Sequence, residues 1–103
     1  MKINVKNDSL YLIPDIDFVA STIEALRDEI MDKLKAHPQV ATIILDAKNI
    51  EQVDSLGVNL IIGIFRQVKN ESKIFEIINV GESFMKVAVF FKFSSLFTLR
   101  TEG

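Results

Sequence analysis

The residue types that carry most protein chemistry are sparse in this chain. It has no cysteine, which removes disulfides, thiolate metal sites and thiol nucleophiles. The single histidine, His37, stands beside Pro38 with no carboxylate at helical spacing. It therefore reads as a solvated loop residue rather than a base or a ligand. The four glycines are isolated from one another, so there is no phosphate-cradling loop. Asp15, Asp17 and Asp54 could in principle act as general acids or bases, while Asp28 and Glu29 read as a solvated helix face. No base stands with a nucleophile, so no catalytic site, metal or cofactor is expected.

One polar constellation remains, at the junction Asp46 to Gly57. Ile43-Ile44-Leu45 is an apolar run closed by Asp46, and a polar loop follows with Ile50 and Val53 as apolar anchors. Asp54-Ser55-Leu56-Gly57 then opens a very apolar segment. On the residues alone, Asp54 or Ser55 caps a helix, and capping could be the whole of their role. In α/β sheets, however, ligands and partners meet the chain at the carboxyl ends of strands. Asp46 closes the central strand at that edge, with Ser55 on the return loop.

The elements that must position this junction follow from periodicity. Ile3 and Val5 alternate with polar residues, and Leu10-Tyr11-Leu12-Ile13 follows the turn cluster Asn7-Asp8-Ser9, which predicts a hairpin ended by Pro14. Val19, Ile23, Leu26, Ile30 and Leu34 recur at helical spacing. Asp17, or alternatively Ser21 with Glu24, is expected to cap that helix. Pro38 closes it. Val40 to Leu45 suits a central strand covered by neighbours on both sides. Leu56 to Phe65, extended by the polar tail around Val68, reads as a buried helix, with Gly57 and Gly63 expected to permit close approach to the sheet. Lys73 to Val80 is a further strand, Phe84 to Phe91 a short helix, and Leu96 to Leu99 a last strand or packed tail. Alternating strands and helices predict an α/β domain with parallel pairs joined by right-handed crossovers.

Bulk properties narrow the function. A chain of 103 residues is one domain by size. Its net charge of −2 lacks the positive concentration that nucleic-acid binding needs. The N-terminus shows no signal-peptide core, and the longest apolar run falls well short of a membrane span. A cytoplasmic protein without membrane insertion is expected. Phe84, Phe90, Phe91, Phe93 and Phe97 crowd the C-terminal part. Phe84 and Phe91 can share a sheet-facing helix side, with Phe90 and Phe93 pointing elsewhere. Core packing is the first reading, and a homodimer or partner patch the second.

The run Ile43-Ile44-Leu45-Asp46, the loop through Ile50 and Val53, and Asp54-Ser55-Leu56-Gly57 before an apolar helix together resemble the signature of STAS domains. Within them they are similar to the bacterial anti-sigma factor antagonists. The element order matches from about residue 2 to residue 99, so residues 1–103 are expected to form a single STAS-like domain. Its fold would be a mixed four- to five-stranded sheet with N-terminal hairpin strands, parallel βαβ units and three to four helices. Asp17 matches the family's acidic residue before the first helix, while Pro14 stands in place of its glycine. The resemblance implies a non-catalytic module of a partner-switching pathway that regulates transcription. Such a module binds an anti-sigma factor that is also a serine kinase, and a serine phosphatase reverses the phosphorylation. The phosphoacceptor position is Ser55, flanked by Asp46 and Asp54, and the implied partner surface comprises Asp17, Asp46, Asp54, Ser55, Leu56 and Gly57. Leu56 departs from the small residue common there. The alternative is a constitutive STAS adaptor subunit of a larger signalling or transport complex, without phosphorylation.

Overall fold

Three strand–helix–strand units, all stepping the same way, set the architecture. The computed structural model describes residues 1–102. Strands β1 (Lys2–Lys6) and β2 (Ser9–Ile13) form an antiparallel hairpin, with Lys6 opposite Ser9. Asn7 turns it at φ 57°, a left-handed conformation that asparagine adopts more readily than most residues. From β2 the chain passes through α1 (Ile23–Ala36) to β3 (Thr42–Asp46), and through α2 (Ser55–Asn70) to β4 (Ile74–Ile78). It continues through α3 (Glu82–Phe90) and a 3-10 turn (Phe93–Ser95) to the short β5 (Thr98–Leu99). The sheet order is β1-β2-β3-β4-β5, and every pair after the hairpin is parallel.

Right-handed crossovers that step in one direction place their helices on one face of the sheet. Packing agrees. Leu10, Leu12, Ile43, Leu45, Phe75 and Ile77, alternate residues of the three central strands, join Leu26, Ile30, Ile61, Ile64 and Phe84 from the helices in one core. Ile44 and Ile78 are buried as well but stand outside that core. In register, Ile44 lies between Tyr11 and Glu76, so its sheet neighbours shield it. The central strand is thus buried on both faces, while the helical layer covers only one.

Several boundaries differ from the sequence expectation. The first helix begins at Ile23 behind Thr22, which makes no side-chain cap bond; Val19 lies ahead of it and Asp17 is engaged elsewhere. His37 is half-buried at the end of α1, its Nδ1 2.9 Å from the Lys33 carbonyl oxygen, rather than a solvated loop residue. In α2, Gly57 is in close contact, but Gly63 is exposed with open space where a Cβ would point.

The aromatic sorting is also different. Phe84, Phe93 and Phe97 are buried, whereas Phe90 and Phe91 are exposed. The helix stops at Phe90, and Lys92 takes a left-handed φ of 56°. That reversal turns Phe93 inward, where its ring and that of Phe75 stand 5.3 and 4.9 Å from Phe97. Helical phasing carried past Phe90 could not have shown this.

Candidate functional site

At the carboxyl end of the sheet two loops are fastened together through backbone. The Phe18 amide donates to the Gln52 carbonyl at 3.0 Å, and the Asp54 amide donates to the Phe18 carbonyl at 3.1 Å. These bonds make a one-residue parallel bridge between Phe18 and Val53. The Phe18 side chain is fully buried beneath it, which anchors the bridge to the core. Asp17 adds to the same seam, since its Oδ1 accepts from the amides of Glu51 at 2.8 Å and Gln52 at 3.2 Å. The expected helix cap is therefore a loop clamp.

Asp54 performs two tasks at once. It holds the extended backbone of an N-cap, and its Oδ1 accepts from the Gly57 amide at 2.9 Å, satisfying one of the amides that a helix start leaves without a partner. Its Oδ2 accepts from the Ala20 amide at 2.8 Å. The Gly57 and Ala20 amides hold its carboxyl below the usual carboxylate range, because hydrogen bonds to the charged form favour it. Of the two residues that could cap α2, it is Asp54 that does so.

Gly57 is fixed by close approach. A Cβ at this position would lie 2.0 Å from the Phe18 carbonyl oxygen, so any side chain would push α2 away from the Phe18 loop. Asp46, at the end of β3, is buried. Its Oδ1 accepts from the Asn79 Nδ2 at 3.0 Å and from the Lys48 amide at 3.1 Å, with the Lys48 Nζ 3.8 Å from Oδ2. It ties the loop after β3 to the loop after β4.

On this braced surface Ser55 is the exposed first residue of α2. Leu56 is 46% exposed and Ile16 is 42% exposed. Leu56 lines a shallow groove with Ile23 and Arg27 of α1 and Asn59 and Leu60 of α2. Beside the loop, Glu51 to Asp54 share a second hollow with Val19, Ser83 and Val87. Both Asp54 oxygens are occupied by amides, so this carboxylate is not free to serve as a base for Ser55. His37 lies at the far end of α1, toward the amino ends of the strands. Among the described residues, no three His, Cys, Asp or Glu side chains converge as metal ligands would.

Asp17, Asp54, Ser55, Leu56 and Gly57 thus gather at one seam, while Asp46 stands at the start of the same loop and is bonded to Lys48 and Asn79 instead. Sequence reasoning missed Phe18, Ala20 and Asn79. The first two act through backbone groups, which leave no side-chain signature. Asn79 left a signal in Asn79-Val80-Gly81, a turn cluster just after a strand, and it does take a left-handed φ of 56°.

The STAS domain family model matches residues 2–102. The chain belongs to the STAS domain family. Solved structures agree with this STAS assignment at the level of fold. TM1081 of Thermotoga maritima superimposes with a TM-score of 0.85 at 15% identity, covering 96% of this chain and 84% of that one. The Bacillus cell fate determinant SpoIIAA in its phosphorylated form gives 0.69 at 19% identity, over 96% and 88% of the two chains. A sulfate transporter family protein from Wolinella succinogenes gives 0.74 at 12% identity, over 96% and 81%. No curated protein matches the sequence. No helix of the described residues is long and apolar enough to cross a membrane.

Proposed function

We propose that this STAS domain, residues 1–103, is an anti-sigma factor antagonist. In this reading it is a cytoplasmic, non-catalytic module that binds an anti-sigma factor with serine kinase activity and is released when Ser55 is phosphorylated. A serine phosphatase restores the binding form. The observation that carries the reading is Ser55 itself, exposed at the first position of α2 on a surface whose backbone is fixed on both sides. SpoIIAA, a structural neighbour, has been solved in unphosphorylated form as an anti-sigma factor antagonist and also in phosphorylated form.

A phosphate adds about −1.5 to −2 charge near neutral pH. The aligned amides at a helix start tolerate that charge, so the fold need not respond. A partner seated on Ile16, Leu56 and the Asp17–Gly57 seam would instead meet a bulky dianion beside Asp54. Burying such a charge unpaired costs several kcal/mol, and each 1.4 kcal/mol is about tenfold in affinity. Asp46 holds the start of the loop that leads to this surface, through Lys48 and Asn79. In a pull-down, Ser55→Ala retains the kinase-type partner and Ser55→Glu loses it; equal capture by both contradicts the reading.

A second reading is a constitutive adaptor subunit without phosphorylation. It is favoured by Leu56, exposed where the resembled family carries a small residue, and by the likeness to a sulfate transporter family protein. Intact-mass analysis of the protein from its native host separates the two. A substantial population carrying one phosphate on Ser55 counts against the adaptor.

A further inference from the structure

The outer edge of β1 is a full-length strand edge without a partner. β1 pairs only with β2, whereas the opposite edge of the sheet is the two-residue β5. The turn at Asn7-Asp8 closes on the pair Lys6 and Ser9, and the closing pair of a two-residue hairpin exchanges hydrogen bonds. Such pairs alternate along an antiparallel ladder, so Lys6, Asn4 and Lys2 bond to β2. The amides and carbonyls of Ile3 and Val5 therefore point away from the sheet. Among the described residues, neither makes a backbone bond elsewhere. Side chains alternate along the same strand. Ile3 packs partly on the core, and Val5, on the same side, is 44% exposed. Lys2, Asn4 and Lys6 stand exposed on the other side. Among the described residues, neither lysine is in an ion pair.

We propose that β1 is a docking edge for an acidic, extended segment of a partner protein, which adds to the sheet as a further antiparallel strand. The free backbone groups of Ile3 and Val5 supply the pairing. Directly opposite residues on neighbouring strands share a face, and this sets the order of the segment: acid, apolar, polar, apolar, acid. Its acids then lie beside Lys6 and Lys2, and its apolar residues beside Val5 and Ile3. Lys2 and Lys6 stand about 13 Å apart along the strand, which is the separation of those two acids. Charge decides against a second copy of this chain. Two β1 strands paired about Asn4 would set Lys2 against Lys6 twice, and like charges directly opposite destabilise a pair. Lysines on an edge strand keep identical edges apart in this way; the same two lysines attract an acidic strand. The seam around Ser55 contributes no residue to this edge, so docking here does not depend on the charge at Ser55.

A fluorescent synthetic peptide with the core Glu-Val-Thr-Val-Glu tests the proposal, by anisotropy at low salt together with amide hydrogen exchange of the full chain. The peptide should bind the wild-type chain and slow exchange at Ile3 and Val5. The double variant Lys2→Glu with Lys6→Glu, both at exposed positions and checked for folding by circular dichroism, should bind it about tenfold more weakly or worse, because two surface ion pairs become two repulsions. A peptide with the core Lys-Val-Thr-Val-Lys should show the opposite preference, for the double variant over wild type. Ser55→Glu should bind the acidic peptide like wild type. No binding by wild type, equal binding by the double variant, or binding that leaves exchange at Ile3 and Val5 unchanged overturns the proposal. So does binding lost with Ser55→Glu, or protection of Ile3 and Val5 that rises with the concentration of the free chain and assigns the edge to a second copy.

Discussion

Both the Ser55 surface and the C-terminal surface show apolar side chains to solvent, but they are held by different means. Around Ser55 the support is backbone: Phe18 to Gln52 and Asp54, with Asp17 and Asp54 each gripping two amides. In the C-terminal part the contacts are between side chains: Phe93 and Phe97 pack together in the core, and Phe90 and Phe91 meet each other at the surface. Backbone bracing keeps a surface in place while the charge on it changes. Side-chain packing makes a shaped patch whose value lies in what fits against it. The first fixes the course of the chain, and the second fixes only which side chains face out.

Mutations that separate the two kinds of support sharpen this contrast. Phe93→Ala should have the largest effect on stability, about 3–5 kcal/mol in urea unfolding, as expected for emptying a buried aromatic site. Gly57→Ala should follow at about 2–4 kcal/mol, because the clash is with the Phe18 backbone and not with a movable side-chain end. If the proposed function holds, it should also weaken capture of the kinase-type partner, which Phe93→Ala need not do. Asp17→Ala should cost about 0.5–1.5 kcal/mol by the same unfolding, because the Glu51 and Gln52 amides lose their acceptor but are exposed to water. The smallest effect is a pH slope. The Asp54 carboxyl is held below the usual range, so the stability it contributes is complete above its unfolded value and is lost as pH falls through the lowered folded one. Asp54→Asn should remove that part of the acid slope; an unchanged slope would assign it to another carboxylate.

The fold was largely legible because its signals are redundant. Period-two and helical spacings, the turn at Asn7 and the stop at Pro38 all pointed to one α/β order. The Asp46–Gly57 junction could be found for a similar reason, since polar residues of unusual type interrupt two apolar runs. What could not be read was contact made by backbone. Phe18 looks like any core residue, and its carbonyl, which dictates Gly57, carries no mark in the sequence. Asp17 was visible as a capping type, but the amides it accepts lie over thirty residues away. The sorting of the C-terminal phenylalanines turned on one left-handed residue, Lys92, and lysine does not announce that conformation.

On the proposed function, the Ser55 surface changes its charge without changing its shape. Comparing amide nitrogen–proton spectra of the wild-type chain and Ser55→Glu tests this most directly. Shifts should be confined to Asp54–Val58 and to Phe18–Ala20 across the seam, with the remaining peaks superimposed. Shifts spread through β3, β4 and the core would contradict it, because the switch would then be a change of conformation.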